Sequence, residues 1–348
     1  MERWVNKILL GNAPDVLREL PDNSIHCCVT SPPYWGLRDY GVEGQLGLEK
    51  TPEEYVQKMV DLFREVRRVL RDDGTLWLNL GDSYATGTTA SRQEGTLNLG
   101  NGTNEARKIS RIGTPVGLKT KDLVGIPWRV AFALQADGWY LRSDIIEDVK
   151  IYCPCCGWQL EERIIRHSQD REIIWNKPNP MPESVTDRPT KAHEYIFLMS
   201  KNERYYYDHE AIKEPAVSTS LKKFTDNGTD KQRGHGRRHA GFNGRYAETL
   251  ARDGVPKDRN RRSVWTVATH PFPEAHFATF PPDLIKPCIL AGCPENGITL
   301  DPFMGAGTTG VVCADLGRNY IGIELNPEYV HIANERIKQA TRQERLFL

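Results

Sequence analysis

Residues 297–324 constrain this chain more than any other stretch. Gly297–Leu300 is a short apolar run with strand character, Gly310–Leu316 is apolar and helical, and Tyr320–Glu324 reads as a strand again. Between the first two lies Asp301-Pro302-Phe303-Met304-Gly305-Ala306-Gly307-Thr308-Thr309. A strand that turns through glycines into a helix and returns as a strand is a parallel βαβ unit, whose helix must cover one face of a sheet. Glycines at such a switch let the backbone turn tightly and let a ligand lie against the main chain. Glu324, ending the next strand, can accept hydrogen bonds from both hydroxyls of an adenosine ribose. Gly310 completes a Gly-x-Gly-x-x-Gly spacing, so the glycines alone do not separate a dinucleotide from S-adenosylmethionine.

The rest of the chain alternates in the same way. Lys7–Leu10 reads as a strand, Asp15–Leu20 has helical spacing, and Ile25–Thr30 is a buried-strand candidate that stops at Ser31-Pro32-Pro33-Tyr34. A helix is predicted from Pro52 to Leu70, with Tyr55, Met59, Leu62, Phe63, Val66 and Leu70 recurring at three- and four-residue steps. Asp72-Asp73-Gly74 is expected to stop it before a strand at Thr75–Leu80. A helix at Ile126–Ala136, strands at Trp139–Ile146, Glu172–Trp175 and Glu194–Ser200, and a last helix at 327–340 complete the pattern. The expected class is α/β, a doubly wound, mostly parallel sheet.

Composition shifts mark what is inserted into that sheet. Residues 83–119 are rich in Gly, Thr, Ser and Asn and read as a long mobile loop, either a functional lid or disorder. Residues 201–262 carry 15 Lys/Arg against 9 Asp/Glu, interleaved with Tyr205, Tyr206, Tyr207, Phe242 and Tyr246. That is a solvated insertion or, beside a nucleic-acid site, a source of phosphate contacts and stacking faces. The domain expectation is a first half at 1–200, the basic region at 201–262, and a second half at 263–348. Over the whole chain 46 basic residues balance 46 acidic ones, which argues against a non-specific nucleic-acid coat but permits a local patch.

No apolar run approaches the roughly 20 residues that span a bilayer, and the first residues lead into a strand rather than a signal peptide. The expected location is the cytoplasm, with no membrane partner. Eight cysteines in 348 residues make no disulfide scaffold. Cys153-Pro154-Cys155-Cys156-Gly157, within an insertion at 147–171, has the look of a zinc knuckle with Cys153 and Cys156 as ligands. A closed site needs four ligands. His167 is a candidate third, Cys288 and Cys293 lie next to the cofactor-side core, and no second knuckle appears, so the reading favours no metal over zinc.

Ser31-Pro32-Pro33-Tyr34 follows a buried strand and so belongs at the carboxyl edge of a parallel sheet, where ligands bind. Two prolines stiffen the turn and leave carbonyls free to accept, Ser31 adds an acceptor, and Tyr34 offers a flat face. An aromatic amine is a poor nucleophile because its lone pair is delocalised into the ring. Acceptors on Ser31 and the Pro32 carbonyl would hold both amino hydrogens and favour a pyramidal nitrogen able to attack a methyl donor in line. A base in duplex DNA must flip out to reach such a turn. Alone, Pro-Pro-Tyr is more often just a rigid turn.

Asp-Pro-Phe-x-Gly-x-Gly-Thr-Thr closely resembles the S-adenosylmethionine loop of the beta-class DNA amino-methyltransferases, the N4-cytosine and N6-adenine methylases. The resemblance covers most of the chain outside 83–119, 147–171 and 201–262. It extends to the order of the parts, with the catalytic motif first, target recognition between, and the cofactor loop last. It implies a circularly permuted, Rossmann-like methyltransferase fold with an inserted target-recognition region. It also implies catalytic roles for Ser31, Pro32, Pro33 and Tyr34. Phe303, Gly305, Gly307 and Glu324 would bind the cofactor, with Asp301 and Thr308 at its methionine end. His276–Leu284 resembles a helix-leading segment that covers the cofactor, which brings in Phe280. Ile174–Pro182 resembles the lining of the flipped-base pocket. Many relatives have Gly-Asp before the first helix; here the pair is Gly11-Asn12, and the Asn12 side-chain oxygen can still accept from an adenine amino group.

Ser at the first motif position is typical of cytosine-N4 enzymes and Asp of adenine-N6 enzymes, so cytosine N4 is the favoured target and adenine N6 the alternative. Arg237, Arg238, Arg261 and Lys177 are the expected contacts to double-stranded DNA. An acceptor in RNA or a protein glutamine is a weaker alternative: glutamine methyltransferases begin the motif with Asn and place the cofactor loop ahead of it, and the intact motifs speak against a binding protein that has lost catalysis. The sequence leaves open the recognition site, monomer or homodimer, and whether a cognate restriction endonuclease accompanies the chain.

Overall fold

The structure is a computed structural model that describes residues 1–85, 107–108, 117–142, 173–178, 187–216, 258–269 and 279–347. The strands are β1 (Lys7–Leu10), β2 (Ile25–Thr30), β3 (Arg38–Asp39), β4 (Leu70–Leu80), β5 (Arg107–Lys108), β6 (Tyr140–Leu141), β7 (Ile173–Asn176), β8 (His193–Ser200), β9 (Glu214–Pro215), β10 (Asp258–Arg259), β11 (Val264–Thr266), β12 (Ile298–Asp301) and β13 (Asn319–Glu324). The helices are α1 (Ala13–Glu19), α2 (Pro52–Val69), α3 (Ile126–Ala136), α4 (Pro282–Gly292), α5 (Thr308–Asp315) and α6 (Pro327–Phe347). No described helix is long and apolar enough to cross a membrane.

One sheet runs in the order β1-β13-β12-β2-β4-β8-β7-β11, with β6 paired to β8. From β1 to β4 every pairing is parallel; β8 runs antiparallel to both β4 and β7. The sheet is therefore doubly wound and mostly parallel. From β12 the chain moves outward through α5 to β13, and from β2 it moves the opposite way through α2 to β4. Right-handed crossovers in opposite directions put those helices on opposite faces. Consistent with this, α1 packs with α2 and α2 with α3, while α4 packs with α5 and α5 with α6. The centre of the sheet, between β12 and β2, is a topological switch point, where a crevice opens beyond the carboxyl ends of the strands.

α2 shows how the sequence specifies its element. Thr51 accepts from the Glu54 N–H at 3.1 Å as N-cap, and Pro52 opens the helix. Glu53 and Glu54 sit at its N-terminus and Arg67 and Arg68 at its C-terminus, matching the helix dipole. Tyr55, Met59, Leu62, Phe63 and Val66 are all buried. The expected stop at Asp72–Gly74 is displaced. The helix ends at Val69, and β4 starts at once, with Leu70 opposite Ile25 but Thr75 opposite Cys27. The extra residues bulge outward, and Lys201 and Asn202 cap the excursion through the Leu70 and Asp72 carbonyls.

The chain divides into two compact units, Met1–Asp208 with Ser263–Leu348, and His209–Arg262. Residues 201–208 run with the larger unit. In the smaller one β9 pairs with β10, and Glu214 accepts from Arg259 and Arg262 at 2.8 and 2.7 Å. Most of the expected 83–119 loop and all of 147–171 lie outside the described residues; Arg107–Lys108 pairs with Arg38–Asp39.

Candidate active site

The ends of β2 and β12 are fastened together. Asp301, last residue of β12, is buried and accepts from Thr30 Oγ1 at 2.7 Å, Thr309 Oγ1 at 2.6 Å and the Phe303 N–H at 3.0 Å. Burial raises its carboxyl to about 6 against the lowering effect of those donors. Asp301 thus ties the proline turn to the glycine turn from behind; it is not among the residues lining the cavity in front.

That cavity, about 1060 Å³ with its open mouth, is bordered by both turns. Ser31 and Pro33 come from one; Phe303, Gly305 and Thr308 from the other; Asn12, Phe280 and Glu324 complete the expected set. The Glu324 carboxylate accepts from the Gly305 and Asn326 N–H groups, each at 2.8 Å. Burial raises its carboxyl above the ordinary range, and those two N–H groups oppose the shift. Gly305 has φ +50, and a Cβ there would meet nothing nearer than the Phe303 carbonyl at 3.9 Å, so its backbone is open to a ligand. An acid, two asparagines (Asn12 and Asn326) and aromatic walls (Phe303, Phe280, Tyr40, Tyr329) suit an adenosine bearing a cationic tail.

Gly307 does something else. At φ +82 it precedes α5, and a Cβ would come within 2.7 Å of Ala333 on α6. Its missing side chain admits a helix, and Gly307 is not among the residues that line the cavity. Arg336, on α6, donates to the Ala306 carbonyl and braces the same turn.

Pro32 is buried and Tyr34 half-buried, and neither is among the residues that line the cavity. The Tyr34 hydroxyl lies 2.7 Å from Glu194 Oε2 and 3.1 Å from Asn79 Oδ1. Ser31 Oγ lies 3.2 Å from the same Asn79 oxygen and 3.3 Å from Tyr34 Oη. Asn79 donates through Nδ2 to the Tyr195 carbonyl at 3.1 Å, which fixes its amide orientation. Burial, then the Glu194 carboxylate, push the Tyr34 hydroxyl well above its ordinary value, so it stays protonated.

Lys177, expected at the DNA, is instead ion-paired with Glu194 and lies 4.3 Å over the Trp175 ring, with 19% of its side chain exposed. Its charge is matched inside the protein. Arg261 is half-buried in the smaller unit. Arg237, Arg238, Cys153, Cys156 and His167 lie outside the described residues; Cys288 and Cys293 are buried thiols.

Sequence reasoning missed Asn79, Glu194, Arg336 and a strap formed by Tyr40, Val42, Gly44, Gln45 and Leu46 along one side of the cavity. The strap carried a signal, since Gly41, Gly44 and Gly47 punctuate it, all at positive φ. The others become neighbours only through the fold.

A DNA methylase family model matches residues 25–154 and 159–335. The chain is 47% identical over 329 residues to the type II methyltransferase M.XycI of Xanthomonas campestris pv. cyanopsidis, covering 94% of this chain and 86% of that protein. It is 46% identical over 332 residues to the type II methyltransferase M.SmaI of Serratia marcescens, covering 95% and 90%. Among solved structures, a DNA modification methylase from Thermus thermophilus, solved with S-adenosyl-L-methionine, aligns with TM-score 0.54 at 20% identity over 96% of this chain and 94% of that one. The cytosine-N4-specific PvuII DNA methyltransferase aligns with TM-score 0.53 at 17% identity, over 98% and 94%.

Proposed function

The chain belongs to the N6/N4 DNA methylase family and is an S-adenosylmethionine-dependent DNA amino-methyltransferase, and we propose that it methylates the N4 amino group of a cytosine flipped out of double-stranded DNA. The observation that carries this reading is the single cavity bordered by Ser31 and Pro33 on one side and by Phe303, Gly305 and Glu324 on the other.

Bound S-adenosylmethionine supplies an electrophilic methyl on a sulfonium. Glu324 and Asn12 would hold its adenosine by hydrogen bonds, Phe303 and Phe280 would pack against it, and the open backbone at Gly305 would receive its tail. Ser31 Oγ and the Pro32 carbonyl accept the two amino hydrogens of the base. The Pro33 carbonyl accepts from the Tyr55 hydroxyl at 2.9 Å, which steadies the turn. Tyr34 offers its ring to the extruded base. These groups work by positioning and desolvation, and no covalent enzyme intermediate is required.

Ser31 favours cytosine N4 over adenine N6, following the family pattern at that position. We assign 201–262, including Arg237, Arg238 and Arg261, to target recognition; if the chain shares the type II role of the relatives it resembles, a cognate restriction endonuclease would accompany it. The test is transfer of a tritiated methyl to unmethylated DNA, followed by digestion to nucleosides and chromatography. Label in N4-methylcytosine is expected. Label in N6-methyladenine would overturn the base, and label that stays out of DNA would overturn the reading.

A further inference from the structure

We propose that Glu194, held by Lys177, is a positioning residue that fixes the ring of Tyr34 beside the reacting amine; this rests on the function proposed above. A tyrosine hydroxyl has one proton to give. Two acceptors compete for it, Glu194 Oε2 at 2.7 Å and Asn79 Oδ1 at 3.1 Å. The shorter contact is to a carboxylate, and a charge-assisted bond is the stronger one. The proton therefore goes to Glu194, which leaves Asn79 Oδ1 to accept from Ser31 at 3.2 Å.

Glu194 is itself well defined. It stands second on β8, its side chain is 15% exposed, and its other oxygen is ion-paired with Lys177. Lys177 leaves the end of β7 and lies over Trp175, so two strands and a ring hold the carboxylate in place. The Tyr34 ring also lies against Gly81, where an added Cβ would sit 2.5 Å from Cε2. One contact fixes the face of the ring and the other fixes its tip. A phenylalanine would keep the first and lose the second, so the hydroxyl is the handle by which β8 sets the ring plane.

The experiment is a double-mutant cycle on the full-length enzyme with Glu194→Gln, Tyr34→Phe and both together. It measures kcat, KM for DNA and for S-adenosylmethionine, and thermal melting. If Glu194 acts through the Tyr34 hydroxyl, each single change lowers kcat about tenfold, the size of one lost hydrogen bond, with both KM values near wild type. The double variant then falls no further than the worse single one. Losses that multiply to about a hundredfold, or a Glu194→Gln enzyme with wild-type kcat, would overturn the proposal. Should Glu194→Gln fail to fold, Lys177→Met with Glu194→Met removes the ion pair as a unit, and the same cycle against Tyr34→Phe decides. Wild-type enzyme that moves no methyl to DNA would refute the function instead, which keeps the two failures apart.

Discussion

Gly81→Ala should disable the enzyme while leaving it folded and able to bind its cofactor. Gly81 is not among the residues of positive φ, so its backbone accepts an alanine. The obstacle is Tyr34 alone: the three atoms nearest an added Cβ are Cε2 at 2.5 Å, Cδ2 at 2.8 Å and Cζ at 3.2 Å of that ring. Carbon contacts relax only near 3.5 Å, so ring and strand must separate by about 1 Å. The strand end cannot readily retreat. Asp82 accepts from the Gly125 and Ile126 N–H groups, each at 3.0 Å, and Ser83 from the Val124 N–H at 2.9 Å. The ring therefore moves, and the 2.7 Å bond to Glu194 is stretched or lost. A displacement of about 1 Å in a positioning group costs about a hundredfold in turnover, whereas overpacking a buried site costs roughly 1–3 kcal/mol of stability. The assay is single-turnover methyl transfer with cofactor affinity measured separately, repeated in a Tyr34→Ala background where the obstacle is gone. Turnover within about threefold of wild type, or an undiminished effect of Gly81→Ala when the ring is absent, would refute the reasoning.

Glu324→Ala should weaken S-adenosylmethionine binding about ten- to a hundredfold in a calorimetric titration, since it removes charge-assisted acceptors, with little change in kcat at saturating cofactor. Asp301 makes stability depend on pH. Its folded value of about 6 lies above the ordinary 3.8, so the folded state holds the proton more tightly, and the resulting stabilisation is full below about pH 4 and lost as pH rises through 6. Urea melts of wild type and Asp301→Asn at pH 4.5 and 7.5 should show the wild type gaining about 2 kcal/mol relative to the variant at the lower pH. Lys177→Met should lower kcat yet leave the salt dependence of DNA binding unchanged, because its charge already serves Glu194. Arg237→Ala with Arg238→Ala should reduce that salt slope by about 2 if both meet phosphates, as read from binding isotherms across salt concentrations.

Local rules carried the sheet. β1, β2 and α3 have the bounds that apolar runs and their breakers predict, because each is decided by neighbours in sequence. The Asp72–Gly74 stop failed because those residues look like a helix terminator, and only pairing with β2 shows that they bulge from a strand already begun. Gly307 shows a related ambiguity. A missing side chain admits a ligand or a helix equally well, and Ala333 is far away in the chain. Lys177 was an expected DNA contact, and a sequence displays its charge but not the neutralisation that arrives from Glu194 on the next strand. Asn79 and Glu194 were invisible for want of any local pattern. Glu194 meets Tyr34 across 160 residues of sequence.

The bond from Thr30 to Asp301 spans 271 residues, and it has a consequence for biosynthesis. A ribosome releases the proline turn well before the strand that completes the pocket, since 271 residues separate Thr30 from Asp301. A nascent molecule thus holds the acceptor for the amine but has nowhere to store a methyl donor. Such distant partners close slowly, because the entropy of the intervening chain must be lost before either is rewarded. Methyl transfer by this protein therefore waits until both turns have been made and joined.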